Sequence, residues 1–218
     1  MKRILVIEDN TAEAIYAQAE LAKAGFTDFQ AVTTLSEGLE AMPGYEALLT
    51  DLFFPAGNLP VEPYSQRFLP IYQAYGERRF KTKGHDVVLR AVKQCADVFG
   101  VTPQEYVEDF MAKVGGALST PPVVLKAARA SLTGVEEPER YAKFLETQER
   151  IRNGTYLPLG IVATERAREL GIPSVIVTST YHHDDAFEAV RDLVKVPYRD
   201  SLVDGRKDWN GGITLLSR

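Results

Sequence analysis

Glu8 and Asp9 directly follow the apolar run RILVI, and Asp51 closes the run LLT ahead of LFF and Pro55. A carboxylate among large apolar residues is costly to bury unless it is paired, hydrogen-bonded or bound to a metal. Three carboxylates brought together repel one another, and one must hold a proton unless a cation is present. A hard divalent ion meets that need. Mg²⁺ favours oxygen ligands and keeps several waters, so Asp9, Asp51, the backbone carbonyl of Phe53 and Glu8 through a water form the expected ligand set.

The elements that must position these groups alternate between strand and helix. Residues 3–7 read as a strand covered on both faces, and Asn10 with Glu13 begins a helix that Gly25 stops. FTDFQAVTT reads as a second strand, Ser36 to Met42 as a short helix, and Tyr45 to Leu52 as a third strand. Such alternation predicts a parallel sheet, whose ligands gather at the carboxyl ends of the strands. Glu8, Asp9 and Asp51 all fall at such ends.

After Pro55 the pattern turns helical for about a hundred residues. Four helices are expected there: Asp86 to Phe99, one begun by the Thr102–Glu105 capping box and ended at Gly115, one from Pro121 to Gly134, and Pro138 to Arg152. The aromatic series Tyr64, Phe68, Tyr72, Tyr75 and Phe80 reads as a core or interface of this region, and ERRFKTK as a solvated basic run. The alternation then resumes with a helix at Ile161 to Leu170, a strand at Ser174 to Val177, a helix at Asp184 to Leu193 and a last strand at Val194 to Val196. The glycine-rich tail predicts only a short closing element at Ile213 to Leu216.

With 218 residues, 45% of them hydrophobic, the chain can bury a substantial core. Its 30 acidic and 25 basic residues are well mixed, giving a net charge of −5 and no basic stripe for a nucleic acid. The single cysteine, Cys95, forms no intramolecular disulfide and reads as a buried structural thiol. No signal-peptide pattern or membrane-length apolar run is present, so a cytoplasmic protein is expected.

Taken together, IEDN after the first strand, TDLFFP at the third, IPSVIVTS at the fourth and LVKVP at the fifth resemble the response-regulator receiver domain of two-component signalling. The resemblance covers about residues 1–55 and 158–205. It implies a doubly wound, flavodoxin-like α/β fold with a five-stranded parallel sheet in the order 2-1-3-4-5. The receiver would comprise residues 1–55 and 158–218, and residues 56–157 would be an all-helical insertion between the third strand and third helix. Glu8 and Asp9 match the acidic pair, Asp51 the phosphate-accepting aspartate, Thr178 the hydroxyl with small Ser179 after it, Lys195 the lysine, and Gly160 the glycine before the third helix.

The implied chemistry is phosphoryl transfer to Asp51 from a histidine kinase or phosphotransfer protein, with Mg²⁺ and Lys195 stabilising the phosphoryl oxygens. The chain would then be a signalling phosphoacceptor rather than an enzyme, with the insertion as its output or partner surface. Two features depart from the pattern: Val196 separates Lys195 from Pro197, and Asp192 holds the place of an aromatic switch residue, for which Tyr181 is a substitute. They favour a second reading, a receiver-fold binding module that takes no phosphate. A third, a magnesium-dependent phosphohydrolase, needs a second aspartate where Phe53 stands. His182, His183 and Asp185 read as a helix cap rather than a zinc site, since adjacent helical residues diverge by about 100°.

Overall fold

The computed structural model describes residues 2–81, 85–115, 137–179 and 184–216. In chain order the elements before the insertion are β1 (Ile4–Ile7), α1 (Thr11–Lys23), β2 (Phe29–Val32), α2 (Leu35–Ala41) and β3 (Ala47–Thr50). The insertion contributes α3 (Val61–Phe80), α4 (His85–Phe99), α5 (Pro103–Gly115) and α6 (Pro138–Arg152). After it come α7 (Leu159–Glu169), β4 (Ser174–Thr178), α8 (Asp185–Val190), β5 (Tyr198–Asp200), β6 (Leu202–Val203), β7 (Arg206–Lys207) and α9 (Trp209–Leu216). Five strands form a parallel sheet in the order β2-β1-β3-β4-β5, the flavodoxin-like α/β arrangement, with the helical insertion following β3.

Strand periodicity sorts the core. Ile4, Val6, Leu49, Val175 and Val177 face a cluster completed by Leu21 of α1 and by Trp209 and Ile213 of α9. The alternate residues Leu5, Ile7, Leu48 and Ile176 are equally buried, and α2 and α7 pack on the sheet as well. Burial on both sides explains why these strands read as continuous apolar runs. The helix starts follow their sequence signals: Asn10 Oδ1 accepts from the Ala12 and Glu13 amides at 3.0 and 3.3 Å, and the Thr102–Glu105 capping box is formed reciprocally.

The chain divides into two compact units, Met1–Tyr72 with Glu146–Arg218, and Gln73–Leu145. In the second, Phe80 packs on Tyr141 and Phe144 with ring centroids 5.2 and 5.4 Å apart. Cys95 there is half-buried rather than fully enclosed. No helix among the described residues is long and apolar enough to cross a membrane.

Several expectations need correction. The aromatic series lies on α3, a 20-residue helix that Pro63 and the internal Pro70 concealed, since an internal proline removes a backbone hydrogen bond. Phe68, Tyr72 and Phe80 recur at multiples of four and are fully buried. The last strand of the sheet is Tyr198–Asp200, not Val194 to Val196, and the ladder to β4 begins where Ile176 N donates to Pro197 O at 3.1 Å. The tail holds a β6–β7 hairpin and an eight-residue helix, α9. Gly212 suits α9 because a Cβ there would press on the Val177 side chain of β4. The helix expected from Pro121 to Gly134, and Tyr181, His182 and His183, lie outside the described residues.

Candidate functional site

The sheet register builds the site. Ile7 pairs with Thr50, so the residues that follow, Glu8 and Asp51, emerge side by side at the carboxyl ends of β1 and β3. Asp51 N donates to Ile7 O at 2.9 Å and Glu8 N to Val32 O at 3.0 Å, which carries the ladders one residue further. Glu8, Asp9 and Asp51 each offer a carboxylate oxygen within 4.8 Å of the others. Glu8 and Asp51 are buried and Asp9 stands at the exposed rim. Thr178, 2% exposed, ends β4 in register with Asp200 of β5.

The cation at this cluster is Lys207, not Lys195. Lys207 Nζ lies 2.5 Å from Glu8 Oε2 and 3.0 Å from Asp51 Oδ2, and the residue is only 6% exposed. Lys195 is exposed in the link that leads into β5, because that strand starts beyond Pro197. Lys207 arrives on the β6–β7 hairpin, whose turn residues Asp204 and Gly205 have φ of 51° and 77°. Two consecutive positive φ values are the mark of a type I′ hairpin turn, which Asp-Gly favours. LVDGRK is therefore the signal by which the hairpin is legible in the sequence.

A cleft of about 380 Å³ opens here, lined by Glu8, Asp9, Asn10, Ser179, Leu202 and Lys207 among others. Burial, and then the neighbouring Asp51, raise the Glu8 carboxyl from its ordinary 4.5 to about 8, against the pull of Lys207. Burial likewise raises Asp51 and Asp9. Burial alone would lower Lys207, yet Asp51 and Glu8 outweigh it and hold the ammonium above its usual value.

The donor set fits a hard divalent cation. Three carboxylates face one ammonium, and the buried Asp51 Oδ1 has no hydrogen-bond partner. An orphaned carboxylate oxygen in an electron-rich pocket is an available oxygen ligand or nucleophile.

The loop after Asp51 is pinned by the chain returning from the insertion. Phe54 and Leu157 exchange backbone hydrogen bonds at 3.1 and 3.2 Å, Ala56 N donates to Gly154 O at 2.9 Å, and Gly160 N to Leu52 O at 3.0 Å. The Phe53 ring stacks on Tyr156, centroids 4.4 Å apart and planes within 4°. No motif in the sequence pointed to Tyr156, because its position depends on chain separated by the whole insertion. Gly160 permits the close approach of α7: a Cβ there would overlap the Asp51 carbonyl oxygen and crowd Leu52 Cα. Gly160→Ala is expected to destabilise the protein by about 3 kcal/mol, as overpacking against backbone does, and urea denaturation would measure it.

Asp184 caps α8 by accepting from Ala186 N at 2.9 Å. Trp209 Nε1 donates to Glu13 Oε2 at 3.0 Å, which ties α9 to α1 beside the cleft. Compared with family models, curated proteins and solved structures, the chain matches none.

Proposed function

We propose that the chain is a receiver-type phosphoacceptor of two-component signalling, with Asp51 taking the phosphoryl group from a phosphohistidine donor. The observation that carries this reading is the pairing of one buried lysine with Glu8 and Asp51 while Asp51 Oδ1 keeps no partner. In this reading Lys207 takes the role that the resemblance gives to Lys195.

Bound by Asp9, Asp51, the Phe53 carbonyl and Glu8 through a water, Mg²⁺ would neutralise charge on the incoming phosphoryl group. Asp51 Oδ1 attacks phosphorus, the bond from phosphorus to the donor nitrogen breaks, and the electron pair leaves with the donor imidazole. The product is an acyl phosphate on Asp51. Lys207 offsets negative charge on the phosphoryl oxygens, and the Thr178 hydroxyl is the donor to the new phosphate. The insertion is the partner surface in this reading, and Val98 and Phe99, exposed by 82% and 70%, support it.

Incubation with acetyl phosphate and Mg²⁺, followed by intact-mass analysis, tests the reading. A single phosphoryl adduct is expected that requires the metal and is absent from Asp51→Asn. A wild-type protein that takes no adduct would overturn it.

A further inference from the structure

We infer that Tyr156 is a positioning residue of the cation site, acting through its stack on Phe53, so that the returning end of the insertion is linked to cation binding. The inference rests on the reading above in one respect, the use of the Phe53 carbonyl as a cation ligand.

The segment from Leu52 to Ala56 leaves the sheet without entering a helix, so its shape depends on what it touches. Backbone hydrogen bonds with Gly160, Leu157 and Gly154 hold Leu52, Phe54 and Ala56. Phe53, between them, is held by its ring. Tyr156 lies parallel to that ring at 4.4 Å, and the Arg150 guanidinium of α6 sits 4.2 Å from the Tyr156 centroid. With the Phe53 ring clamped on Tyr156, the Cα and backbone of Phe53 have less room to shift, and its carbonyl is held with them.

The tyrosine is also electrically close to the site. Burial first, then Asp184 and Asp51, push its phenol upward, so it stays neutral and adds no charge. Its contribution is therefore shape. An aromatic stack of this kind is worth about 0.5–1.5 kcal/mol, which corresponds to roughly two- to tenfold in an affinity that depends on it. By reciprocity, a cation that needs the stack must in turn stabilise it.

Mg²⁺ affinity measured by isothermal titration calorimetry on wild type, Tyr156→Phe, Tyr156→Leu and Tyr156→Ala tests the assignment. Fluorescence of the single tryptophan, Trp209, serves as the check on folding. Tyr156→Phe should bind as wild type because it keeps the stack. Tyr156→Ala and Tyr156→Leu should bind about five- to tenfold more weakly. Mg²⁺ should slow hydrogen exchange at the Phe54 and Leu157 amides in wild type and Tyr156→Phe, and less so in the other two.

Equal Mg²⁺ affinity in all four proteins, with the Asp51 adduct still formed, would overturn the inference and leave the phosphoacceptor reading standing. An equal loss in Tyr156→Phe would also overturn it, since the hydroxyl rather than the stack would then matter. Absence of Mg²⁺ binding to wild type would overturn both.

Discussion

Lys207→Ala is expected to slow phosphoryl uptake from acetyl phosphate at saturating Mg²⁺ by about a hundredfold, the scale of removing one preorganised charge from a transition state. Lys195→Ala should leave the rate unchanged. The contrast follows from position: Lys207 Nζ is buried 3.0 Å from Asp51 Oδ2, whereas Lys195 is exposed. A buried ammonium acts on nearby charge far more strongly than a solvated one. Because removing one partner of a buried ion pair costs about 3–5 kcal/mol, Lys207→Met, which keeps the stem's packing, should accompany the alanine variant. Thermal melts would show whether either loss is one of folding. If Lys195→Ala rather than Lys207→Ala lost the rate, the roles assigned to the two lysines would be reversed.

That Lys207, and not Lys195, lies against Glu8 and Asp51 shows which parts of this fold are legible in its sequence. The carboxylates were legible because each follows a four-residue strand buried on both faces, a pattern local to the chain. Asn10, the Thr102 box and Gly25 announce their helix boundaries by equally local chemistry. Lys207 reaches the site by a different route. It sits on a hairpin with two residue pairs, too short for hydrophobic alternation to register, and only Asp204-Gly205 betrays the turn. The edge strand β5 is three residues long and half-exposed, so its limits carry little apolar signal either. Tyr156 is further from view, since its stack on Phe53 joins residues separated by the entire insertion.

The second large effect is on pH. In the cation-free protein the Glu8 carboxyl titrates near 8 instead of 4.5, and Asp51 and Asp9 are raised as well. Between those two values the folded protein holds more protons than the unfolded chain, so its stability falls as pH rises from about 4.5 to 8. Lys207, raised above its usual 10.5, adds no slope in this window, because it is charged in both states there. On the proposed reading a divalent cation would replace the proton on Glu8, so Mg²⁺ binding is expected to release about one proton well below pH 8, and affinity to rise up to about tenfold per pH unit. From pH 6 to 8, where Glu8 becomes half-ionised, the expected gain is about fiftyfold. Thermal melts should show Tm in EDTA declining across this range, with saturating Mg²⁺ flattening the decline as bound ligand stabilises the folded state. A Mg²⁺ affinity independent of pH, or a Tm in EDTA that climbs between pH 5 and 8, would mean that Glu8 is already ionised in the cation-free fold and that Lys207 alone neutralises the cluster.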